Sequence, residues 1–291
     1  MSMKLFIGGM RGSQPATGSA FEAFGGDTTS LLLVGSHGER LVLDAGTGMR
    51  AVAEQLARIG PDKVTVLFSH YHLDHMAGLM MNPLLFRADW SFNLVGPTFP
   101  DGGVRDAATR LLAPPYWPVS WEQMKAHVEF VRLTPAPAAL PMPDAVDPLM
   151  ILRQNLHVRG CLVPHPGGCM AYRIDDTDGD TSLVFATDIE WAKRNTAEEA
   201  AFLTMCREPK PADLLVIDAH FAQAEKEVFA GWGHTSWEDC LAIAQSAGIE
   251  RVLLGHHAPQ ADDEALRARE EQVKERMAGG ALARAGQWIV I

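Results

Sequence analysis

Positive charge is scarce in this chain. It carries 25 Lys and Arg against 36 Asp and Glu, a formal net charge of −11 over 291 residues. Proteins that hold extended nucleic acid neutralise phosphates with a basic surface, so this balance argues against such a partner and favours a small-molecule substrate. Cysteine is also rare. The four (Cys161, Cys169, Cys206 and Cys240) are scattered, which excludes a disulfide scaffold and reads as reduced thiols of a cytoplasmic protein. Only the loose pair Cys161 and Cys169, around His165, keeps pairing or metal binding open. No apolar run is long enough to cross a bilayer, and the chain enters a strand-like Met3-Lys4-Leu5-Phe6-Ile7 at once, with no signal peptide expected. No repeat of about 20–50 residues is visible. The balance leaves a homodimer open.

What is present is apolar content, 47% of the chain, enough for a large core in one α/β domain spanning 1–291. Residues 31–34 and 41–43 read as strands joined by Gly35-Ser36-His37-Gly38. Residues 49–59 read as a helix with Val52, Leu56 and Ile59 on one face, stopped by Gly60-Pro61. A strand at 64–68 comes next. Further strands are expected at 151–155, 170–174, 182–186, 214–217 and 251–254, and helices at 197–206, 236–247 and 262–277. Residues 83–150 are the least regular, with dense Pro and aromatics at 112–121 and a Pro/Ala-rich stretch at 135–148. They are expected to form a cap-like insertion at the mouth of the site, where Tyr116 and Trp117 offer apolar faces to a base or acyl group. Periodicity supports α/β with mixed sheets.

The strongest signal is Ser69-His70-Tyr71-His72-Leu73-Asp74-His75. Three imidazoles and a carboxylate crowd a strand-to-helix loop, and both groups are first-row metal ligands. The spacing suits two adjacent metals sharing the loop, His70 and His72 on one, Asp74 and His75 on the other. Candidate partners lie downstream. His165 sits between two prolines, Asp188 lies just past the strand at 182–186, and His256-His257 come after the strand at 251–254. A carboxylate at a strand end can bridge two cations. No thiolate is offered, so the donors suit zinc, with manganese or iron acceptable.

His-x-His-x-Asp-His after a buried strand resembles the signature of the metallo-β-lactamase-fold hydrolases. Leu43-Asp44-Ala45-Gly46-Thr47-Gly48, Pro164-His165-Pro166-Gly167-Gly168, Ala186-Thr187-Asp188 and Gly255-His256-His257-Ala258-Pro259 resemble its other segments, in the same order. The resemblance spans about residues 6–265. It implies an αβ/βα sandwich of two mixed sheets flanked by helices. It also implies His70, His72 and His165 on one divalent ion, Asp74, His75 and His256 on a second, and Asp188 bridging. His257 then becomes a group that supports the metal ligands or faces the substrate.

Gly231-Trp232-Gly233-His234-Thr235-Ser236-Trp237-Glu238 resembles the Gly-His-Ser/Thr motif of the ribonuclease Z and phosphodiesterase branch. Thr235-x-x-Glu238 reads as a capping box that starts a helix at Thr235 and puts His234 beside an anion-favouring helix terminus. Residues 189–213, with Glu190, Glu198, Glu199 and a short helix, offer no basic arm, which argues against tRNA processing. Gly8-Gly9-Met10-Arg11-Gly12-Ser13 and Phe24-Gly25-Gly26-Asp27-Thr28-Thr29-Ser30 resemble the opening of a group of bacterial hydrolases of this fold. Asp27, Asp44 and Asp218 are candidates to orient histidines, and His220 is a candidate substrate contact. The expected chemistry is a binuclear phosphodiesterase acting on a small or flexible phosphodiester through a metal-bridging hydroxide, with Asp74 and His234 catalytic. A lactone, thioester or other carbonyl hydrolase, or a non-catalytic metal-bound sensor, are the alternatives.

Overall fold

The computed structural model describes residues 2–133, 150–152 and 155–291. Its first half supplies β1 (Lys4–Gly9), β2 (Ser30–Val34), β3 (Arg40–Leu43), β4 (Lys63–Leu67), β5 (Ser91–Pro97) and β6 (His127–Leu133). The second half supplies β7 (Met150–Leu152), β8 (Leu156–Val163), β9 (Cys169–Asp176), β10 (Thr181–Ala186), β11 (Leu214–Asp218), β12 (Val252–Gly255), β13 (Gly280–Leu282) and β14 (Trp288–Val290). They form two seven-stranded sheets, ordered β14-β1-β2-β3-β4-β5-β6 and β13-β12-β11-β10-β9-β8-β7. Each sheet is mixed. β3 to β6 and β10 to β13 run parallel, and the remaining pairs are antiparallel.

Strand alternation explains the layering. In β10, Leu183 and Phe185 face the other sheet, where they meet Leu31, Leu33, Leu41 and Leu43. Val184 and Ala186 face outward, under α4 (Thr196–Arg207), α5 (Trp237–Ala247) and α6 (Asp263–Arg276). In the first sheet Leu32, Val42, Val64 and Val66 pack against α1 (Met49–Ile59) and α3 (Val104–Leu111). Strands buried on both faces must be apolar at every position, which is why they are conspicuous in the sequence. The result is the expected αβ/βα sandwich.

Two readings of the sequence change. The stretch from 83 is not wholly irregular. β5 pairs with β4 from Ser91 to Val95, β6 pairs with β5 from Ser91 to Pro97, and α3 covers them, so these residues extend the first sheet. The Pro/Ala-rich 135–148 lies outside the described residues. β8, not expected as a strand, faces the sheet interface with Leu156 and Val158, while Cys161 and Val163 on its other face meet the helix layer. His157, Arg159 and Gly160 interrupt its apolar pattern and hide it.

Candidate metal centre

Strand ends deliver the site. After β4 the chain passes through Ser69 to His72 into a single-turn helix, α2 (Leu73–Met76), which carries Asp74 and His75. Asp44 comes directly after β3, Asp188 lies two residues past β10, and His256 comes directly after β12. All three adopt left-handed backbone, with φ of 55°, 53° and 52°. Such conformations are rare for non-glycine residues and persist where surrounding structure over-determines them.

The seven side chains converge as two overlapping groups, His70, His72, His165 and Asp188, and Asp74, His75, Asp188 and His256. Asp188 belongs to both. Its Oδ1 lies 3.0 Å from His256 Nδ1 and 3.2 Å from His75 Nε2, and its Oδ2 lies 3.6 Å from His70 Nε2 and 3.7 Å from His165 Nε2. Asp74 Oδ2 is 3.2 Å from His75 Nε2 and accepts the Ser13 backbone N–H at 2.8 Å. The second group is wholly buried, whereas His72 is exposed and His165 half-buried. The open side therefore lies at His72 and His165, where a cavity of about 380 Å³ is also lined by Ser13, Asp74, Asp188, Trp232 and His234.

The donor state suits a cation. Burial pushes His70, His72 and His165 toward neutral imidazole. Burial also disfavours charge on Asp74 and Asp188, but the neighbouring histidines outweigh it and hold both well below the usual carboxylate range. Burial opposes a charged His75 too, yet Asp74, Asp188 and Asp44 prevail and raise it well above the usual histidine value. His70 Nε2, His75 Nε2 and His256 Nε2 are buried and make no hydrogen bond. Orphaned buried polar atoms are costly, and three around two carboxylates fit divalent metal ions.

Surrounding groups fix the rings. His75 Nδ1–H donates to Asp44 Oδ2 at 2.7 Å. Asp44 also accepts Ser69 N–H and Oγ–H, both at 2.7 Å, and Ser69 Oγ lies 3.0 Å from His70 Nδ1. His165 Nδ1–H donates to the Gly233 carbonyl at 2.9 Å. A carboxylate or carbonyl only accepts, so these bonds turn Nε2 of His75 and His165 toward the centre. Gly233 has φ 93°, and a Cβ there would lie 2.2 Å from His165 Nδ1. Glu190 holds the same loop through the N–H groups of Gly231 and Gly233 at 2.7 and 3.2 Å. Sequence reasoning misses Ser69, Ser13, Glu190 and Thr187, whose Oγ1–H donates to Asp188 Oδ1 at 2.7 Å. For Ser69, Thr187 and Glu190, adjacency to the donor segments is the available signal, whereas Ser13 lies 61 residues from Asp74.

Of the other candidates, His220 and His234 converge with His256 as a third group, and the rest lie apart. His234 lines the cavity, and its Nδ1–H donates to Asp218 Oδ2 at 2.8 Å. Burial lowers its affinity for protons, but Asp218, with Asp188 and Asp74, reverses that and raises its pKa to about 9. His220 stacks on His234 at 4.3 Å, and its Nδ1–H donates to the His256 carbonyl. His257 is buried, and its Nε2–H donates to the Ala283 carbonyl at 2.9 Å, so it braces the fold and does not face substrate. Asp27 accepts from Thr47 Oγ1 and orients no histidine. Tyr116 lines a cavity beside the centre, whereas Trp117 packs on the core beneath the first sheet. Ser236, not Thr235, caps α5 by accepting from Asp239 N–H. Thr235 Oγ1 is held instead by the Ile189 carbonyl and Trp191 N–H, which ties the His234 loop to the Asp188 loop. Arg11, fully buried, donates to the carbonyls of Gly25, Ala258 and Ala261 and locks the two glycine-rich openings to the His256 segment.

A family model described as a beta-lactamase superfamily domain matches residues 39–257. A ribonuclease Z from Brevibacillus brevis (strain 47 / JCM 6285 / NBRC 100599) is 38% identical over 55 residues, 19% of this chain and 17% of that relative. That stretch is thus well under two thirds of the relative's length. Among solved structures, the metallo-beta-lactamase fold protein YhfI from Bacillus subtilis is 20% identical, with 99% of each chain covered and a TM-score of 0.65. The short form of human tRNase Z is 16% identical, with 99% of each chain covered and a TM-score of 0.69. A diphosphatase from the PhnP family is 17% identical, covering 99% of this chain and 98% of that one, with a TM-score of 0.67. At these identities the structural likeness is one of fold.

Proposed function

The chain belongs to the β-lactamase superfamily of metal-dependent hydrolases, and we propose that it is a binuclear phosphodiesterase acting on a small or flexible phosphodiester. His70, His72 and His165 would hold one divalent ion, Asp74, His75 and His256 the other, with Asp188 shared. Zinc suits these nitrogen and oxygen donors, and manganese or iron are acceptable. Two such ions supply an activated water and positive charge for the phosphoryl oxygens.

The observation that carries the reading is His234. It stands on the cavity wall with Asp74, His165 and Asp188, its Nδ1 anchored on Asp218 and its pKa raised to about 9. Near neutral pH it holds a proton on Nε2, the ring nitrogen left free for a ligand. A phosphodiester with a poor leaving group needs that proton on the departing oxygen. The names of the similar proteins, a ribonuclease, a tRNase and a diphosphatase, support chemistry at phosphorus. The net charge of −11 favours a small or flexible substrate over a long nucleic acid.

The test is His234→Gln against diesters of graded leaving groups. The loss should be small with a nitrophenolate and about 10²–10⁴-fold with an alkyl or nucleoside alkoxide, at unchanged metal content. An equal loss across the series overturns proton donation. A wild-type enzyme that hydrolyses a lactone or thioester but no phosphodiester overturns the substrate class.

A further inference from the structure

The cavity at the metal centre is not the largest one. A second, of about 670 Å³, lies on the other side of the His72-Leu73 turn, between that turn and α3. His72 and Leu73 line both cavities, and Leu73, 64% exposed, stands as the ridge between them. A ligand reacting beside His72 can therefore lay one arm over Leu73 into the second space, whose size is typical of a ligand pocket.

The walls specify the arm. Met76, Met80, Phe99, Ala107, Leu111 and Tyr116 line the space. Apart from the exposed Asp101, Arg110 and Tyr116, most of its polar groups are spent. Tyr71 donates its hydroxyl to the Pro97 carbonyl, Gly102 N–H donates to the Phe99 carbonyl at 3.0 Å, and Gly103 N–H donates to Asp106 Oδ2 at 2.9 Å. Gly168 N–H is likewise taken, by the His165 carbonyl at 3.0 Å. Arg110 donates to the Asp101 carbonyl at 3.3 Å and is exposed. A nucleobase placed here would lose most of the hydrogen bonds of its edges to water, with replacement only from the exposed Asp101, Arg110 and Tyr116, which is unfavourable. An alkyl chain loses nothing and gains burial. The two methionines add walls that adapt to an irregular chain.

We propose that this cavity is the subsite for an apolar, aliphatic arm, and that the substrate is an amphiphilic ester with its reacting group at the metal centre and its chain over Leu73. The naming of a diester rests on the phosphodiesterase reading above, while the subsite itself does not.

The test uses p-nitrophenyl phosphodiesters whose second arm is methyl, butyl or octyl, assayed on the metal-loaded protein. In parallel, binding of methyl-, butyl- and octylphosphonate is measured by calorimetry. We expect kcat/KM and phosphonate affinity to rise by about two- to fourfold per methylene, the gain from burying a CH₂, until the cavity is full. Ala107→Phe, which fills the space from α3, should bring the octyl-to-methyl ratio close to one, with the folded state checked by its melting curve and metal content. The wild-type phosphonate series stands without that variant. Diesters turned over with no dependence on chain length overturn the subsite and leave the phosphodiesterase reading intact. Phosphonate affinity that climbs with chain length, in a protein that hydrolyses none of the diesters, supports the subsite and overturns the phosphodiesterase reading. Octylphosphonate that binds no tighter than methylphosphonate overturns the subsite.

Discussion

Replacing Asp44 by Asn should weaken one metal position more than the other. Asp44 is fully buried and accepts three hydrogen bonds at 2.7 Å, from Ser69 N–H, Ser69 Oγ–H and His75 Nδ1–H. An asparagine is nearly the same shape but has one acceptor oxygen and one donor nitrogen. If its oxygen keeps Ser69 N–H, its NH₂ confronts His75 Nδ1–H. The imidazole relieves this by moving its proton to Nε2, the atom that faces Asp74 and Asp188 at 3.2 Å. A protonated Nε2 cannot bind metal. If the amide turns over, the buried Ser69 N–H is orphaned instead. Either arrangement costs about 1–3 kcal/mol, and Tm should fall by several degrees at roughly 2–4 °C per kcal/mol for a domain of this size. Loss of such a ring-orienting partner typically lowers metal affinity about 10–100-fold. The loss should fall on the position served by Asp74, His75 and His256, because Ser69 Oγ can still accept from His70 Nδ1–H. Calorimetric titration of the metal-free protein, with metal counted by mass spectrometry, should show one tight and one weakened ion, against the two tight ions expected of the parent. Equal weakening of both positions, or two unchanged ions, refutes the tautomer argument.

Much of this site is legible because donors sit at strand ends, and the strands announce themselves. β4, β10 and β12 are buried on both faces, so their apolar runs point to where His70, Asp188 and His256 must lie. The donor just past such a run is readable, and the groups that hold it in place are less so. Asp44 and Asp218 read as orienting carboxylates and bond His75 and His234, but Asp27 stands with them on equal sequence grounds and bonds Thr47 instead. No local pattern encodes which carboxylate reaches which ring across sheets. The same holds for Ser69 and Glu190, whose partners are a carboxylate 25 residues away and backbone groups 41 and 43 residues away. The helix start at 235 is displaced by one position because Thr235 and Ser236 are both competent caps. A tertiary bond from Thr235 to the Ile189 carbonyl decides between them. The outer strand β6 escapes notice because it has exposed positions and a mixed sequence, and its place is fixed by pairing with β5.

The geometry sets two further outcomes. Asp188→Ala removes the carboxylate that, alone among the described residues, lies within 4 Å of all four of His70, His75, His165 and His256. It should lower metal content below two ions per chain and abolish turnover, and a fully active variant holding two ions would remove the case for a shared ligand. Asp218→Asn probes the proton donor through its pH profile. Asp218 is the largest influence raising the His234 pKa against burial, to about 9. The charged imidazolium is what it stabilises, so its loss lowers that pKa. Activity that needs a protonated His234 is present below this pKa and fades as pH rises through it. The alkaline limb of kcat/KM for an alkyl leaving group should therefore move to lower pH in the variant. With a nitrophenolate, which departs without a proton, that limb should not move. Asp218 also accepts the backbone N–H groups of Ile189 and His220, at 3.3 and 3.0 Å, so a purely structural role would depress both substrates alike. A profile lowered uniformly, with no displacement of the limb for either leaving group, would show that Asp218 braces the loops without tuning the acid.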